Sequence, residues 1–182
     1  MKLYGYFRSG TSHHTRIAMN LKQLDYESIS VNLAQDEQLE SAFKTINPQG
    51  LVPVLEAAKS ETESLVMFQS LAILEWLEEA YPQYPLLPSD MTGRVRVRAL
   101  SAMISCDIHP INNRRILQYL RNELNVDESQ VMAWCQRWIS DGFTALESLL
   151  TQDKERDNFC YGNQPTLADC YLIPQVYSAR RF

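Results

Sequence analysis

Apolar residues at alternating and helical spacings divide the first 81 residues of the chain into a series of strands and helices. Ile17, Ala18, Leu21 and Leu24 recur at helical spacing, so a first helix is predicted to begin near Thr11. The predicted order is β-α-β-α-β-β-α. Its elements fall at residues 2–7, from 11, 27–33, near 39–46, 52–55, 65–68 and from 69, with a polar hairpin loop from Glu56 to Ser64.

A proline-rich stretch, YPQYPLLPSD, follows this series, and prolines at such density interrupt both helices and strands. We therefore predict a linker at residues 82–90 between a domain at 1–81 and a domain at 91–182. The second domain is predicted to be all helical, with a long helical pattern over 90–123 and another over 127–151. The fold class is thus α/β followed by all-α.

A capping box is predicted at the start of the last helix. Thr166 follows Pro165 and precedes an apolar run, and Asp169 stands three residues further on. A threonine and an acidic residue at this spacing can each bond the other's backbone N–H. The pattern explains a helix start and needs no functional role.

Composition narrows the function classes. The chain has 182 residues, 45% of them hydrophobic, and a formal charge of −5 with a pI near 5.2. An acidic chain argues against nucleic-acid binding, and the absence of an 18-residue apolar run argues against a membrane span. The N-terminus MKLYGYFRSG has no apolar stretch of signal-peptide length, which predicts a cytoplasmic protein.

The four cysteines are Cys106, Cys135, Cys160 and Cys170. None forms a C-x-x-C pair, and none lies beside a histidine. We therefore expect buried, reduced thiols and no metal site.

Candidate chemistry lies in the loop from Arg8 to Ser12, at the start of the first helix. Its small hydroxyl residues and glycine leave backbone N–H groups free to meet an anion. A thiolate is such an anion. A thiol has an ordinary pKa of about 8.5, and a hydroxyl donor together with a helix N-terminus would lower that pKa, so that more of the thiol is ionised at neutral pH. The alternative is that Ser9 and Thr11 are ordinary helix caps.

Two further short segments could bind a peptide ligand. Val52 precedes Pro53, and a cis bond there would turn the Val52 backbone towards an extended peptide. Gln69 and Ser70 open a helix directly after a strand, where a hydroxyl and backbone amides can receive a carboxylate. A plain helix cap remains the alternative for this pair.

Together, these motifs resemble the zeta-class glutathione transferases, the family that contains the maleylacetoacetate and maleylpyruvate isomerases. The resemblance runs from Met1 to Phe182 and is greatest to the bacterial maleylpyruvate isomerases. It is carried by YFRSGTSHHTRIAMNLK, NPQGLVPVL, QSLAILEWLEE, CDIHPINNRRIL and PTLADCYLIPQVYSARRF. It implies a thioredoxin-like glutathione-binding domain at 1–81 and a helical substrate domain at 91–182. Family members usually continue through further helices, so the helical domain is expected to be truncated at Phe182.

The resemblance also implies residue roles. Ser9 is the thiol-activating hydroxyl, Val52 pairs with the cysteinyl backbone of glutathione, and Gln69 and Ser70 hold its γ-glutamyl end. The implied glutathione-binding residues are Ser9, Gly10, Thr11, Gln38, Val52, Gln69, Ser70, Asp107, His109, Asn113, Arg114 and Arg115. Substrate-facing positions fall on Arg8, His109 and Arg180, with Arg8 and Ser9 as the catalytic residues.

By resemblance, the activity is cis–trans isomerisation of a small unsaturated keto dicarboxylic acid. Glutathione is the cofactor, no metal or redox cofactor is needed, and the expected setting is aromatic-compound catabolism by a cytoplasmic homodimer. One departure is that the common Ser-Ser-Cys pattern is Ser9-Gly10-Thr11 here, which puts maleylacetoacetate as the specific substrate in doubt. Two rivals remain open: a transferase that conjugates small electrophiles, and a non-enzymatic binding protein of the same fold.

Overall fold

The computed structural model of the chain describes residues 1–60 and 62–182. It divides into two compact units, Met1–Leu86 and Leu87–Phe182. The division falls inside the proline-rich stretch.

The first unit is built on a four-stranded sheet. Its strands are β1 (Lys2–Gly5), β2 (Glu27–Ser30), β3 (Val54–Ala58) and β4 (Ser64–Phe68), in the spatial order β2-β1-β3-β4. β1 pairs with β2 in parallel and with β3 antiparallel, and β3 pairs antiparallel with β4. Parallel pairing of β1 and β2 requires a crossover between them, which the first helix supplies.

The sheet is accompanied by the α-helices α1 (Gly10–Leu21), α2 (Ser41–Ile46) and α3 (Ser70–Ala80). The predicted order of strands and helices in this unit is confirmed, and the architecture is the thioredoxin-like one. α1 and α3 pack together, and the buried core contains Met19 and Leu55 with three apolar residues of α3, Ile73, Leu74 and Leu77. One cluster of buried apolar residues in this unit consists of Val31, Phe43, Val52 and Val54.

The predicted hairpin loop from Glu56 to Ser64 is wrong at both ends. Glu56 to Ala58 continue β3, and Ser64 already belongs to β4. The ladder begins at Val54 rather than at residue 52, because Pro53 has no N–H to donate. The extension was missed because Ala57 and Ala58 carry little strand signal, although Ala57 is buried. Glu61, which the predicted loop includes, lies outside the described residues.

A buried ion pair holds the end of the first unit. Lys22 Nζ lies 2.5 Å from Glu78 Oε1, and the two side chains are 0% and 7% exposed. Lys22 also donates to the Tyr81 carbonyl at 2.9 Å, while both Glu78 oxygens accept from the Leu86 N–H at 3.1 Å. The pair therefore fixes residues 81–86 against α1 and α3.

The second unit is helical, with α4 (Met91–Ala102), α5 (Arg114–Asn122), α6 (Glu128–Gln152) and α7 (Leu167–Arg181). The long helical pattern predicted over residues 90–123 is broken between α4 and α5. A π-helical segment spans Met103–Ile108, and a 3₁₀ turn spans Pro110–Asn112. Pro110 cannot supply the N–H that would continue the helix, so the chain turns here.

The π-helical segment is held by close contact with α6. A Cβ added to Gly142 of α6 would overlap Ile108 side-chain atoms, so only glycine permits this approach. Ile108 is 1% exposed and ends the segment directly before His109. The glycine therefore sets the position of the chain on which His109 lies.

The capping box at the start of α7 is confirmed. Asp169 Oδ2 accepts from both the N–H and the hydroxyl of Thr166 at 2.8 Å, and its Oδ1 accepts from the Cys160 N–H at 2.9 Å. The expectation of four buried thiols is wrong for Cys106, which is exposed on the π-helical segment, whereas the other three are buried. Burial raises the pKa of the Cys160 thiol.

No helix among residues 1–60 and 62–182 combines the length and the apolar composition needed to cross a membrane.

Candidate active site

The loop between β1 and α1 presents Ser9 at the N-terminus of α1. Ser9 is the N-cap residue, and its Oγ accepts from the Ser12 N–H at 3.2 Å. This single bond satisfies one of the free N–H groups of the first turn, and the N–H groups of Gly10 and Thr11 remain directed out of the helix end. The arrangement has the local dipole and donors that stabilise an anion.

Ser9 is joined to Val52 through Thr11. The Ser9 and Thr11 hydroxyl oxygens lie 3.0 Å apart, and Thr11 Oγ1 donates to the Val52 carbonyl at 2.9 Å. The Val52–Pro53 bond is cis. The fold thus brings together three predicted site residues, although Thr11 and Val52 are 41 positions apart in the sequence.

Arg16 fixes the loop that carries Ser9. From the second turn of α1, its guanidinium donates to the Tyr6 carbonyl at 3.4 Å and to the Phe7 carbonyl at 3.1 Å. Ser12 Oγ accepts the Tyr6 N–H at 3.3 Å. Arg16 was not predicted as a site residue, because a basic residue on a helix resembles any solvated side chain until the carbonyls it bonds are known.

Residues 47–52 link the other elements of the site. Asn47 is 1% exposed, and its amide donates to the Leu51 carbonyl at 2.8 Å while its oxygen accepts the Gln49 N–H. Gly50 has a φ of 63° and lies so near the Gln38 carbonyl that an added Cβ would come within 2.9 Å. Asn47 and Gln49 were missed as site residues, although the Asn-Pro-Gln-Gly sequence is a recognisable turn signal.

The N-terminus of α3 is open to an acceptor. Its N-cap residue Gln69 has a φ of 71°, unusual for a residue other than glycine, and its side chain makes no capping bond. Gln69 Nε2 donates instead to Gln49 Oε1 at 2.8 Å. Ser70, the first residue of α3, is buried. The helix therefore offers N–H groups and a hydroxyl where a carboxylate is stabilised.

Gln38 has one unused acceptor. Its Nε2 donates to Asp36 Oδ1 at 3.0 Å, and the side chain is largely buried. Within the part of the chain that the structure describes, Gln38 Oε1 has no hydrogen-bond partner. A buried acceptor without a partner is costly, so this atom suits a ligand that donates to it.

These features fit glutathione. A thiolate matches the α1 N-terminus, a peptide backbone matches Val52, and an α-carboxylate matches the uncapped α3 N-terminus. Segment 47–52 connects these elements, because it carries both Val52 and the Gln49 side chain that bonds Gln69.

The predicted residues of the second unit lie around its helix break. Asp107 is exposed on the π-helical segment, and His109 follows it at the turn. Asn113 is the N-cap of α5 and accepts from the Arg115 N–H at 3.2 Å, so it has a structural role of its own. Arg114 is the first residue of α5.

His109, one of the predicted substrate-facing residues, follows the π-helical segment directly. Burial lowers the pKa of its imidazole below the ordinary value, an effect that the neighbouring Gln175 amide opposes in part. A lowered pKa leaves the ring neutral at neutral pH. His109 can therefore offer a hydrogen bond to a substrate but not a positive charge.

The two predicted substrate arginines are both exposed. Arg8 adjoins Ser9 in the first unit, and Arg180 lies in the last turn of α7 in the second unit. An exposed arginine keeps its planar fork available to a carboxylate.

A thioredoxin-like unit that holds these groups, followed by a helical unit, defines the class of glutathione transferases. Residues 8–80 match the glutathione S-transferase N-terminal domain family. The chain is 58% identical over its whole length to a maleylpyruvate isomerase of a Ralstonia species, covering 84% of that protein. It is 45% identical to a maleylacetoacetate isomerase of Pseudomonas aeruginosa, covering 100% of this chain and 82% of that protein.

Solved structures agree with these relatives. A holo structure of maleylpyruvate isomerase, a bacterial zeta-class glutathione S-transferase, superposes with a TM-score of 0.94 at 57% identity, covering 100% of this chain and 83% of the other. A maleylacetoacetate isomerase from Anaeromyxobacter dehalogenans with glutathione in its active site gives 0.87 at 40%, covering 99% and 81%. The chain belongs to the zeta-class glutathione transferases, the enzyme family of the maleylpyruvate and maleylacetoacetate isomerases.

Proposed function

We propose that the protein is a glutathione-dependent isomerase that converts the cis double bond of maleylpyruvate or maleylacetoacetate to trans. The observation that carries this proposal is the hydroxyl of Ser9 at the N-terminus of α1, joined through Thr11 to Val52. The relatives that are 58% and 45% identical are named for these two reactions. A conjugating enzyme of the same fold would share the thiolate site but would not need paired carboxylate binders.

Glutathione, when bound, supplies a thiolate that adds reversibly to the double bond, so that the bond rotates before the thiolate leaves. The chain's own part is to hold that negative charge. Ser9 Oγ–H and the N–H groups of Gly10 and Thr11 stabilise an anion at the α1 N-terminus. Val52 offers its backbone to the cysteinyl residue, and the α3 N-terminus with Gln69 and Ser70 offers donors to the γ-glutamyl carboxylate.

The remaining predicted contacts lie at the edges of this site. Gln38 Oε1 is a buried acceptor for a donor of the ligand. Asp107, His109, Asn113, Arg114 and Arg115 are proposed to complete glutathione binding from the second unit. Their support is the matching CDIHPINNRRIL sequence and their common location at the break between α4 and α5.

Arg8 and Arg180 are proposed to bind the two ends of the substrate. The chain carries a net charge of −5, so a dianion needs local cations to approach the site. The planar guanidinium matches a carboxylate with two parallel hydrogen bonds, and it stays charged at all working pH values. His109 is proposed to add a neutral hydrogen bond.

We expect Arg8→Lys and Arg180→Lys each to raise KM for maleylpyruvate by about tenfold, the loss of roughly one bidentate contact. Lysine keeps the charge but not the fork. The measurement is an absorbance assay with maleylpyruvate and with maleylacetoacetate, each with and without glutathione. Conjugation of an uncharged aromatic electrophile by the same variants is expected to change little.

The matched control for Arg180 is Arg137→Lys on α6, an exposed arginine paired with Asp141 four residues along the helix. It should leave both activities unchanged. Parallel loss of isomerisation and conjugation in the Arg8 and Arg180 variants would mean that these arginines are structural. Unchanged isomerisation in both would remove the dicarboxylate assignment and favour the general transferase.

Glutathione affinity is expected to fall by about tenfold or more in Ser70→Ala, because a hydrogen bond to a charged carboxylate contributes roughly 1.5–3 kcal/mol. Isothermal titration calorimetry measures this directly. Ser41→Ala is the matched control, since Ser41 is also the first residue of a helix but is exposed and outside the site. Equal affinities for Ser70→Ala and the parent chain would place the γ-glutamyl end elsewhere.

We further propose that the protein acts as a cytoplasmic homodimer in the breakdown of aromatic compounds. The support is family membership, together with the frequency of two-fold assemblies among oligomeric proteins.

A carboxylate-binding substrate site is supported by two related isomerases whose crystal structures contain ligands of this kind. One holds malonate with glutathione, and the other holds dicarboxyethyl glutathione and citrate in its active site.

A further inference from the structure

The polarity of the Ser9–Thr11 hydrogen bond follows from counting hydrogens. A hydroxyl has one proton and can donate one hydrogen bond. Thr11 donates its proton to the Val52 carbonyl, which can only accept. The 3.0 Å contact between the two hydroxyls therefore has Ser9 as donor and Thr11 as acceptor. The hydrogen bonds are therefore donated in one direction, from Ser9 to Thr11 and from Thr11 to Val52.

This polarity matters for the chemistry proposed above, because Ser9 must turn its proton towards sulfur to stabilise a thiolate. Hydrogen bonds to a charged acceptor are stronger than those between neutral partners. A thiolate at the α1 N-terminus is thus the better acceptor for the Ser9 proton. Ser9 Oγ keeps the bond that it accepts from the Ser12 N–H and gains room for a second donor.

We propose that Thr11 is a positioning residue whose hydroxyl couples peptide recognition at Val52 to thiol activation at Ser9. When a peptide N–H binds the Val52 carbonyl, the Thr11 proton is free to turn to Ser9 Oγ, and the hydrogen bond between the two hydroxyls reverses. Ser9 then accepts from Thr11 and Ser12 while it donates to sulfur. No hydrogen bond is lost in the exchange, and accepting a further bond makes the Ser9 hydroxyl a stronger donor.

Threonine suits this task for a second reason. Its branched Cβ restricts the χ1 angle, so its oxygen stays between Ser9 and Val52 without a large entropic cost. Thr15, one turn further along α1, makes the ordinary helical bond instead, from its hydroxyl to the Thr11 carbonyl at 3.4 Å. The two threonines therefore provide a matched pair on one helix: Thr11 faces the site, and Thr15 is buried.

The inference rests on the proposed function, and its test measures ionisation of bound glutathione rather than turnover. The thiolate absorbance of the complex is titrated against pH for the parent chain, Thr11→Val, Thr11→Ser and Thr15→Val. Valine has the shape of threonine without the hydroxyl. We expect Thr11→Val to raise the pKa of the bound thiol by about one unit, which means about tenfold less thiolate below that pKa.

Thr11→Ser should recover most of the thiolate, and Thr15→Val should titrate like the parent chain. In a Ser9→Ala background, Thr11→Val should have no additional effect, because Thr11 acts through Ser9. Additive effects of the two substitutions, or an unchanged pKa in Thr11→Val, would overturn the inference.

Different results would contradict the proposed function itself. If calorimetry shows that the parent chain does not bind glutathione, or if Ser9→Ala leaves the pKa of the bound thiol unchanged, the thiol-activation site itself is wrong. If Ser9→Ala raises that pKa and Thr11→Val does not, only the coupling through Thr11 is wrong.

Discussion

Turnover is expected to fall by roughly tenfold to a hundredfold in Ser9→Ala, while glutathione affinity stays nearly intact. The hydroxyl acts on the ionisation of sulfur, and a hydrogen bond to a charged group contributes roughly 1.5–3 kcal/mol. Without it, the pKa of the bound thiol rises, so the loss is largest at low pH and shrinks as the pH approaches the new pKa. Rate against pH for both forms measures this shift.

A second variant separates this chemistry from helix capping. Ser9 also caps α1 through the Ser12 N–H, and losing an N-cap to alanine costs about 1 kcal/mol of stability, but to glycine only a few tenths. Ser9→Gly and Ser9→Ala should therefore lose turnover equally while differing in their resistance to urea. Turnover that follows stability across the two variants, or a pH–rate profile identical to that of the parent chain, would remove Ser9 from the mechanism.

The largest effect on stability is expected from Glu78→Leu, at about 3–5 kcal/mol. This substitution leaves the ammonium of Lys22 buried without its carboxylate, and it removes both acceptors of the Leu86 N–H. Urea unfolding followed by circular dichroism measures the change. Glu79→Leu, at an exposed position next along α3, is the control and should stay within about 0.5 kcal/mol.

The partner variant tests the cause. Lys22→Met combined with Glu78→Leu replaces both charges by apolar groups of similar volume, and such replacements are often neutral. The double variant should recover much of the lost stability. If it is less stable than Glu78→Leu alone, the bonds of Lys22 to the Tyr81 and Tyr84 carbonyls, rather than the ion pair, hold this region together.

The succession of strands and helices in the first unit was predictable because each element carries its own period of apolar residues. The predicted boundaries of these elements were wrong where particular residues, rather than the apolar period, determine where an element starts or ends. β3 starts directly after Pro53, and small alanines hide its end. The break after α4 was visible only as Pro110 within a helical pattern, and the π-helical segment before it depends on a tertiary contact between Ile108 and Gly142 that no local pattern reveals.

The candidate site was predictable in part for a similar reason. Ser9, Val52 and Ser70 stand at the ends of elements, where their types are informative. Asn47 and Arg16 support the site through bonds to backbone carbonyls, and such bonds depend on how the loops fold. The lowered pKa of His109 comes from burial, which is a property of the packed unit and could not be predicted from the residue type.

The ion pair of Lys22 and Glu78 also bears on how such a protein can be recombined with its relatives. Because it fixes residues 81–86, the first part of the proline-rich stretch belongs to the thioredoxin-like unit, and the helical unit begins at Leu87. A chimaera joined directly after α3 would take the residue that binds Glu78 at position 86 from a different parent. A junction between Leu86 and Leu87 keeps the ion pair and the backbone groups it binds in one parent, so we expect this chain to tolerate a junction there best.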